Sequence, residues 1–168
     1  TANLKEGMPY KNVAPVLYYG SSITQGGCAN RPDTSYQAFI HKKNNVDFIN
    51  LGFSGNAKAE KEVVEYLTTL DCSIAVLDYD HNAPNADFLA KTHEKFFLKF
   101  REKQPNTPVI MLSRPDCFDV NPEDDIRREI STTTCVNALN RSDSNVYYLD
   151  GKTCFGEKDR CMCTADSL

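Results

Sequence analysis

No apolar run in this 168-residue sequence approaches the roughly 18 residues that a membrane-spanning helix needs. Residues 1–10 hold no apolar segment of the secretory-leader type, so a cytoplasmic location is expected; because the sequence starts with Thr1 rather than Met, a leader or a preceding domain lost upstream stays open. Concentrated positive charge is missing too. Lys and Arg are scattered and the net charge is −4, whereas a phosphate backbone is bound by clustered cations, so neither nucleic acid nor a membrane is an expected partner. No internal repeat, low-complexity stretch or linker divides the chain, and one domain over residues 1–168 is expected. Cysteine is not scarce: seven are present, an odd number spread along a chain large enough to hold together without cross-links, which favours a reduced compartment. Cys154, Cys161 and Cys163 form a C-x6-C-x-C cluster, but a closed zinc site needs four ligands, so no metal and no cofactor is expected.

Hydrophobic residues make up 40% of the chain and concentrate in five short runs, over residues 16–19, 48–51, 74–77, 109–112 and 146–149. The runs are continuous rather than alternating, as strands buried on both faces are. Polar, helix-prone stretches separate them. Val63, Tyr66, Leu67 and Leu70 share one helical stripe within 60–70; Leu89, Phe96, Phe97 and Phe100 share another within 88–101. Asn121-Pro122-Glu123-Asp124 reads as a helix start: Asn caps free amides, Pro is tolerated in the first turn, and acids suit the positive end of the dipole. The alternation predicts an α/β fold, a three-layer α/β/α sandwich on a parallel sheet, with its ligand site at the carboxyl ends of the strands.

Three of those ends carry unusual turns. After the first run comes Gly20-Ser21-Ser22-Ile23-Thr24-Gln25-Gly26-Gly27, which is either a plain Gly/Ser turn or one that brings amides and a serine to a ligand. It lacks the Lys-Ser/Thr ending of a phosphate-binding loop. The second run ends in Asn50-Leu51-Gly52-Phe53-Ser54-Gly55-Asn56, and the third in Asp78-Tyr79-Asp80-His81-Asn82. Polar groups are costly to bury without partners, so this last cluster is expected to face the cleft, an Asx-rich helix cap being the plainer alternative.

These turns resemble a known family. Gly20-Ser21-Ser22-Ile23-Thr24 looks like the first block of the SGNH, or GDSL-like, hydrolases, Gly52 to Asn56 like the second, Asp78 to Asn82 like a variant of the third, and Thr164-Ala165-Asp166-Ser167-Leu168 like the fifth cut short. A bacterial branch of GDSL-like esterases is particularly similar. The resemblance implies a flavodoxin-like five-stranded parallel sheet and a serine ester hydrolase. Its nucleophile would be Ser22 and its triad acid Asp166. The oxyanion hole would be formed by the amides of Ser22 and Gly55 and the carboxamide of Asn82, with His81 as the rival for that last place. The family's base lies three residues after the acid, so the chain as given ends before the expected histidine and last helix; it should be close to inactive, and the natural protein is expected to continue with both. Ser21 stands where the family's name motif has Asp.

His81 and Arg31 are expected to contact substrate, and Arg114 is a further polar candidate; His81 is also the one histidine placed to substitute as base. His41 and His93 are expected to pack or face solvent. The expected substrate is a small molecule or carbohydrate carrying a small acyl group, such as an acetylated sugar; oligomeric state is not legible. Two other functions fit the same residues: a metal-dependent hydrolase using Asp78, Asp80 and His81, and a non-catalytic ligand-binding module on a degenerate hydrolase scaffold.

Overall fold

The computed structural model describes residues 3–115 and 122–154. Five strands, β1 (Val16–Gly20), β2 (Phe48–Gly52), β3 (Ile74–Asp78), β4 (Val109–Leu112) and β5 (Val146–Leu149), form one sheet in the order β2-β1-β3-β4-β5. All four pairings are parallel. This is the expected doubly wound topology, with the chain reversing direction across the sheet between β1 and β3, where such folds place their ligands.

Side chains alternate across the sheet. Leu17, Tyr19, Ala75, Leu77, Val109 and Met111 point to one face and meet α3 (Lys61–Leu67), α4 (Ala86–Lys103) and α5 (Pro122–Asn140). The stripe foreseen in α4 is buried as Leu89, Phe96, Phe97 and Phe100, and the Asn85 side chain caps that helix by accepting from the Phe88 amide at 2.8 Å. Val16, Tyr18 and Val76 point to the other face, where Tyr36 of α2 (Tyr36–Asn44) packs. Over β3, β4 and β5 no described helix covers that second face, and the described residues leave an apolar groove of about 680 Å³ lined by Ile74, Val76, Ile110, Leu112 and Leu149.

Two details differ from expectation. The helix expected over 60–70 stops at Leu67, because the hydroxyls of Thr68 and Thr69 turn back onto the carbonyls of Glu65 and Tyr66, each at 2.7 Å. The turn after β1 folds into a one-turn helix, α1 (Ser22–Gln25), where only a loop was legible. The expected Asn121 cap lies outside the described residues, but α5 does carry Glu123, Asp124 and Asp125 in its first turn.

Candidate active site

The site is built on α1, and two glycines let α1 lie against the sheet. A Cβ on Gly20 would sit 2.1 Å from Thr24 Oγ1 and 2.3 Å from the Asp78 carbonyl oxygen; one on Gly52 would sit 2.1 Å from the Gln25 nitrogen. One turn of helix is not stable alone, so α1 depends on its ends. Ser21 caps the start by accepting from the Ile23 amide at 3.1 Å, and Gly26, at φ 92°, closes the end in the left-handed conformation. Beneath it, the Thr24 carbonyl accepts from the side chains of Gln37 and Asn50, both at 2.7 Å, and Thr24 Oγ1 donates to Asp78 Oδ2 at 2.8 Å.

Ser21 and Ser22 therefore have opposite environments. Ser21 is fully buried, with its hydroxyl committed to Ile23 and to His81. Ser22 is half-buried, and its hydroxyl and amide meet no partner among the described residues. Only Ser22 of the two can present an oxygen to a substrate. The turn after β2 is tied to the same place: the Phe53 amide donates to the Gly20 carbonyl at 2.8 Å, and the Ser54 amide to Gln25 Oε1 at 3.2 Å. Gly55 is exposed at φ 66°, and its amide has no acceptor among the described residues. From β3, Asn82 Nδ2 donates to the Phe53 carbonyl at 2.9 Å, so one carboxamide proton fixes the side chain while its second remains.

Of the polar cluster after β3 only His81 and Asn82 are partly exposed; for the first three residues the expectation of facing the cleft fails, and they lie below the rim. Asp78 and Asp80 are buried beneath it, at 0% and 2% exposure, and Tyr79, at 1%, is a core residue packed against Tyr19 and Phe96 and stacked on His93. Burial is affordable for the carboxylates because each finds donors. Asp80 Oδ1 accepts from the His81 amide at 2.8 Å and pairs with His81 Nδ1 at 2.9 Å, while Oδ2 accepts from the Arg114 amide at 3.1 Å. Burial opposes its charge, but the His81 hydrogen bond and the His81 charge hold Asp80 below the usual carboxylate range. His81 responds in kind: burial disfavours its charged form, yet Asp80 and Asp78 outweigh this and raise its pKa. The imidazole Nε2 lies 2.6 Å from Ser21 Oγ, not at Ser22.

Asp78 has fewer partners. Thr24 and Tyr36 both donate to Oδ2 and Oδ1 has none, so burial pushes its pKa up to about 7 against the opposing His81 charge. A carboxyl whose folded pKa is raised holds a proton the unfolded chain has lost between about pH 4 and 7, so its contribution to stability falls as pH rises through that window. Asp78→Asn, which cannot ionise, should gain on the wild type by about 3 kcal/mol between pH 4 and 8. Urea denaturation at the two pH values measures this, and a constant difference would show that Asp78 is not the titrating group.

The ligand-type atoms of Asp78, Asp80 and His81 lie within 4.8 Å of one another. Both Asp80 oxygens already accept from N–H groups, and the second His81 nitrogen is turned to Ser21, so a cation would have to break that arrangement. Arg31 is exposed and lines an open cleft of about 650 Å³ whose wall mixes Gln25, Asn30 and Asn50 with Pro32 and Phe48 and includes Gly27. Arg114 Nη1 lies 3.4 Å from Asp124 Oδ2. His41 bonds the Val46 carbonyl at 2.7 Å, and His93, buried against Thr134 and pushed down to about 4 by desolvation, is a packing residue as expected. Asp166, Cys161 and Cys163 lie outside the described residues, and Cys154 is exposed and unpaired.

Residues 13–165 match the GDSL-like lipase/acylhydrolase family. The chain belongs to that family. Similar solved structures agree on the fold of this GDSL-like chain. A protein described as a GDSL-like lipase from Bacteroides ovatus ATCC 8483 is 30% identical, with a TM-score of 0.76 over 87% of this chain and 44% of that one. The salicylyl-acyltransferase SsfX3 of a tetracycline biosynthetic pathway is 20% identical, with a TM-score of 0.75 over 88% of this chain and 46% of that one. A family two carbohydrate esterase from Clostridium thermocellum, solved with cellohexaose, is 13% identical, with a TM-score of 0.69 over 88% of this chain and 56% of that one. The chain thus spans less than half the length of the first two of these relatives. No curated protein matches the sequence. Among the described residues no helix is long and apolar enough to cross a membrane.

Proposed function

We propose that this GDSL-like chain carries the nucleophile and oxyanion hole of a serine ester hydrolase that removes small acyl groups from a polar or carbohydrate substrate. The observation that carries the reading is the hydroxyl of Ser22, without a partner among the described residues, on a clamped turn beside a buried and fully engaged Ser21. The Ser22 oxygen attacks the ester carbonyl carbon, its proton passes to a base outside the described residues, and the alcohol leaves with that proton as the acyl-enzyme forms. Water then repeats the sequence to release the acid. The oxyanion is met by the unpartnered amides of Ser22 and Gly55 and the second amide proton of Asn82. Asp166 is the proposed triad acid. Arg31 and the cleft it lines are the proposed seat of the polar carrier; Gly27, whose Cβ position is 3.3 Å from the Ser22 Cβ, joins that cleft to the nucleophile. The carbohydrate esterase and the acyltransferase among the structural neighbours support an acyl group on a polar carrier.

A fluorophosphonate should label the complete natural polypeptide at Ser22, located by peptide mass mapping, and Asn82→Ala should slow turnover of p-nitrophenyl acetate about 100-fold with little change in KM. Label on another residue, or an Asn82→Ala enzyme as fast as wild type, would reject the assignment.

A further inference from the structure

His81 was expected to touch substrate or, as an alternative, to serve as base, and its surroundings suit neither. Asp80 can only accept, so the hydrogen between it and His81 belongs to Nδ1; Nε2 then accepts from the Ser21 hydroxyl when the ring is neutral and donates to it when the ring is charged. Ser21 also accepts from the Ile23 amide. The result is one continuous chain of hydrogen bonds, Ile23 to Ser21 to His81 to Asp80, that starts inside α1 and ends in a buried carboxylate. Its far end is itself fixed: Arg127 of α5 donates to the carbonyls of Asp80 and Ala83 at 2.6 and 2.9 Å. No ester carbonyl can reach Ser21, because that residue has no exposed surface. A Ser-His-Asp array thus exists here, one residue away from the serine that can react.

We propose that His81 is a positioning residue: by gripping Ser21 it fixes the first turn of α1 and so the direction of the Ser22 hydroxyl. The proposal rests on Ser22 as nucleophile. Misplacing a reacting atom by about 1 Å costs on the order of 100-fold, and a one-turn helix has no internal means of resisting such a shift. An aspartate at position 21 would still accept from the Ile23 amide, but a carboxylate only accepts, so it would meet Nε2 only where His81 is charged and Nε2 carries a proton.

The test is a mutant cycle on the complete polypeptide, read by kcat and KM for p-nitrophenyl acetate, with Ile23 amide exchange as an independent readout of the cap. His81→Ala and Ser21→Ala should each lower kcat about 10- to 100-fold with KM nearly unchanged and should speed Ile23 exchange; the double variant should be no slower than either single. Losses that multiply in the double variant, a His81→Ala enzyme within twofold of wild type, or unchanged Ile23 exchange would each overturn the proposal. So would a loss near 10⁴-fold in His81→Ala with the acidic limb of its pH profile removed, which would make the imidazole the base. If Ser22→Ala keeps turning over ester, the nucleophile assignment itself fails and the positioning role goes with it. If Ser22→Ala is dead but His81→Ala is normal, only the positioning role fails.

Discussion

Ser22→Ala is expected to lower kcat/KM for any ester the complete protein turns over by at least about 10⁴-fold, while leaving its thermal midpoint within a degree or two of wild type. The two halves of this expectation have one cause. The Ser22 hydroxyl contributes no hydrogen bond to the folded state among the described residues, so removing it costs the fold little. It is also the one oxygen on this turn that both reaches solvent and follows directly on the capped start of α1. The adjacent Ser21→Ala should behave in the reverse manner, losing stability through the cap and the His81 bond. Initial rates on a p-nitrophenyl ester together with a melting curve separate the cases, and Ser22→Ala activity within tenfold of wild type would remove the serine mechanism.

Gly52→Ala is expected to be among the most damaging single methyls in the described structure, beside matching changes at Gly20 and Gly151. Its Cβ would meet the Gln25 nitrogen at 2.1 Å, the Gln25 Cα at 2.5 Å and the Thr24 carbonyl carbon at 2.6 Å, all main-chain atoms with no rotamer to yield. Relief requires α1 to lift from β2, which pulls the Thr24 carbonyl from Asn50 and Gln37 and exposes buried polar groups. A loss of about 4 kcal/mol or more, or a fall in melting temperature of about 10 °C, should follow. Gly55→Ala is the contrast, since its Cβ would meet nothing within 4 Å and only its φ of 66° resists, at about 1 kcal/mol. Melting curves by circular dichroism compare the two directly; equal small shifts would mean that α1 does not rest on the sheet as described.

The layer order and the strands were legible because a parallel sheet writes its buried strands as continuous apolar runs, and all five runs became strands. The stripe in α4 was legible for the same reason, a period of 3.6 on a long segment. The site was legible only as a set of turns. Nothing local marks Ser21 as the partner of a histidine 60 positions later, nor Tyr79 as core rather than rim, because both outcomes depend on which side of β3 each residue meets after the strands have paired. Polar character after a strand suggested exposure for Asp78 and Asp80, and hydrogen-bond donors supplied by α1, α2, His81 and the end of β4 reversed it. The Asp-His dipeptide was the one available signal, since a carboxylate next to an imidazole fixes its tautomer, but no spacing rule named the third member.

The grip of Arg127 on the Asp80 and Ala83 carbonyls has a thermodynamic consequence for recognition. The 3₁₀ turn that ends in Asn82 is moored to α5, so the carboxamide proposed for the oxyanion hole would be aimed before any ester arrives. Dipoles already oriented need not reorganise as charge builds on an oxygen, whereas bulk water must; the ordering was completed when the chain folded.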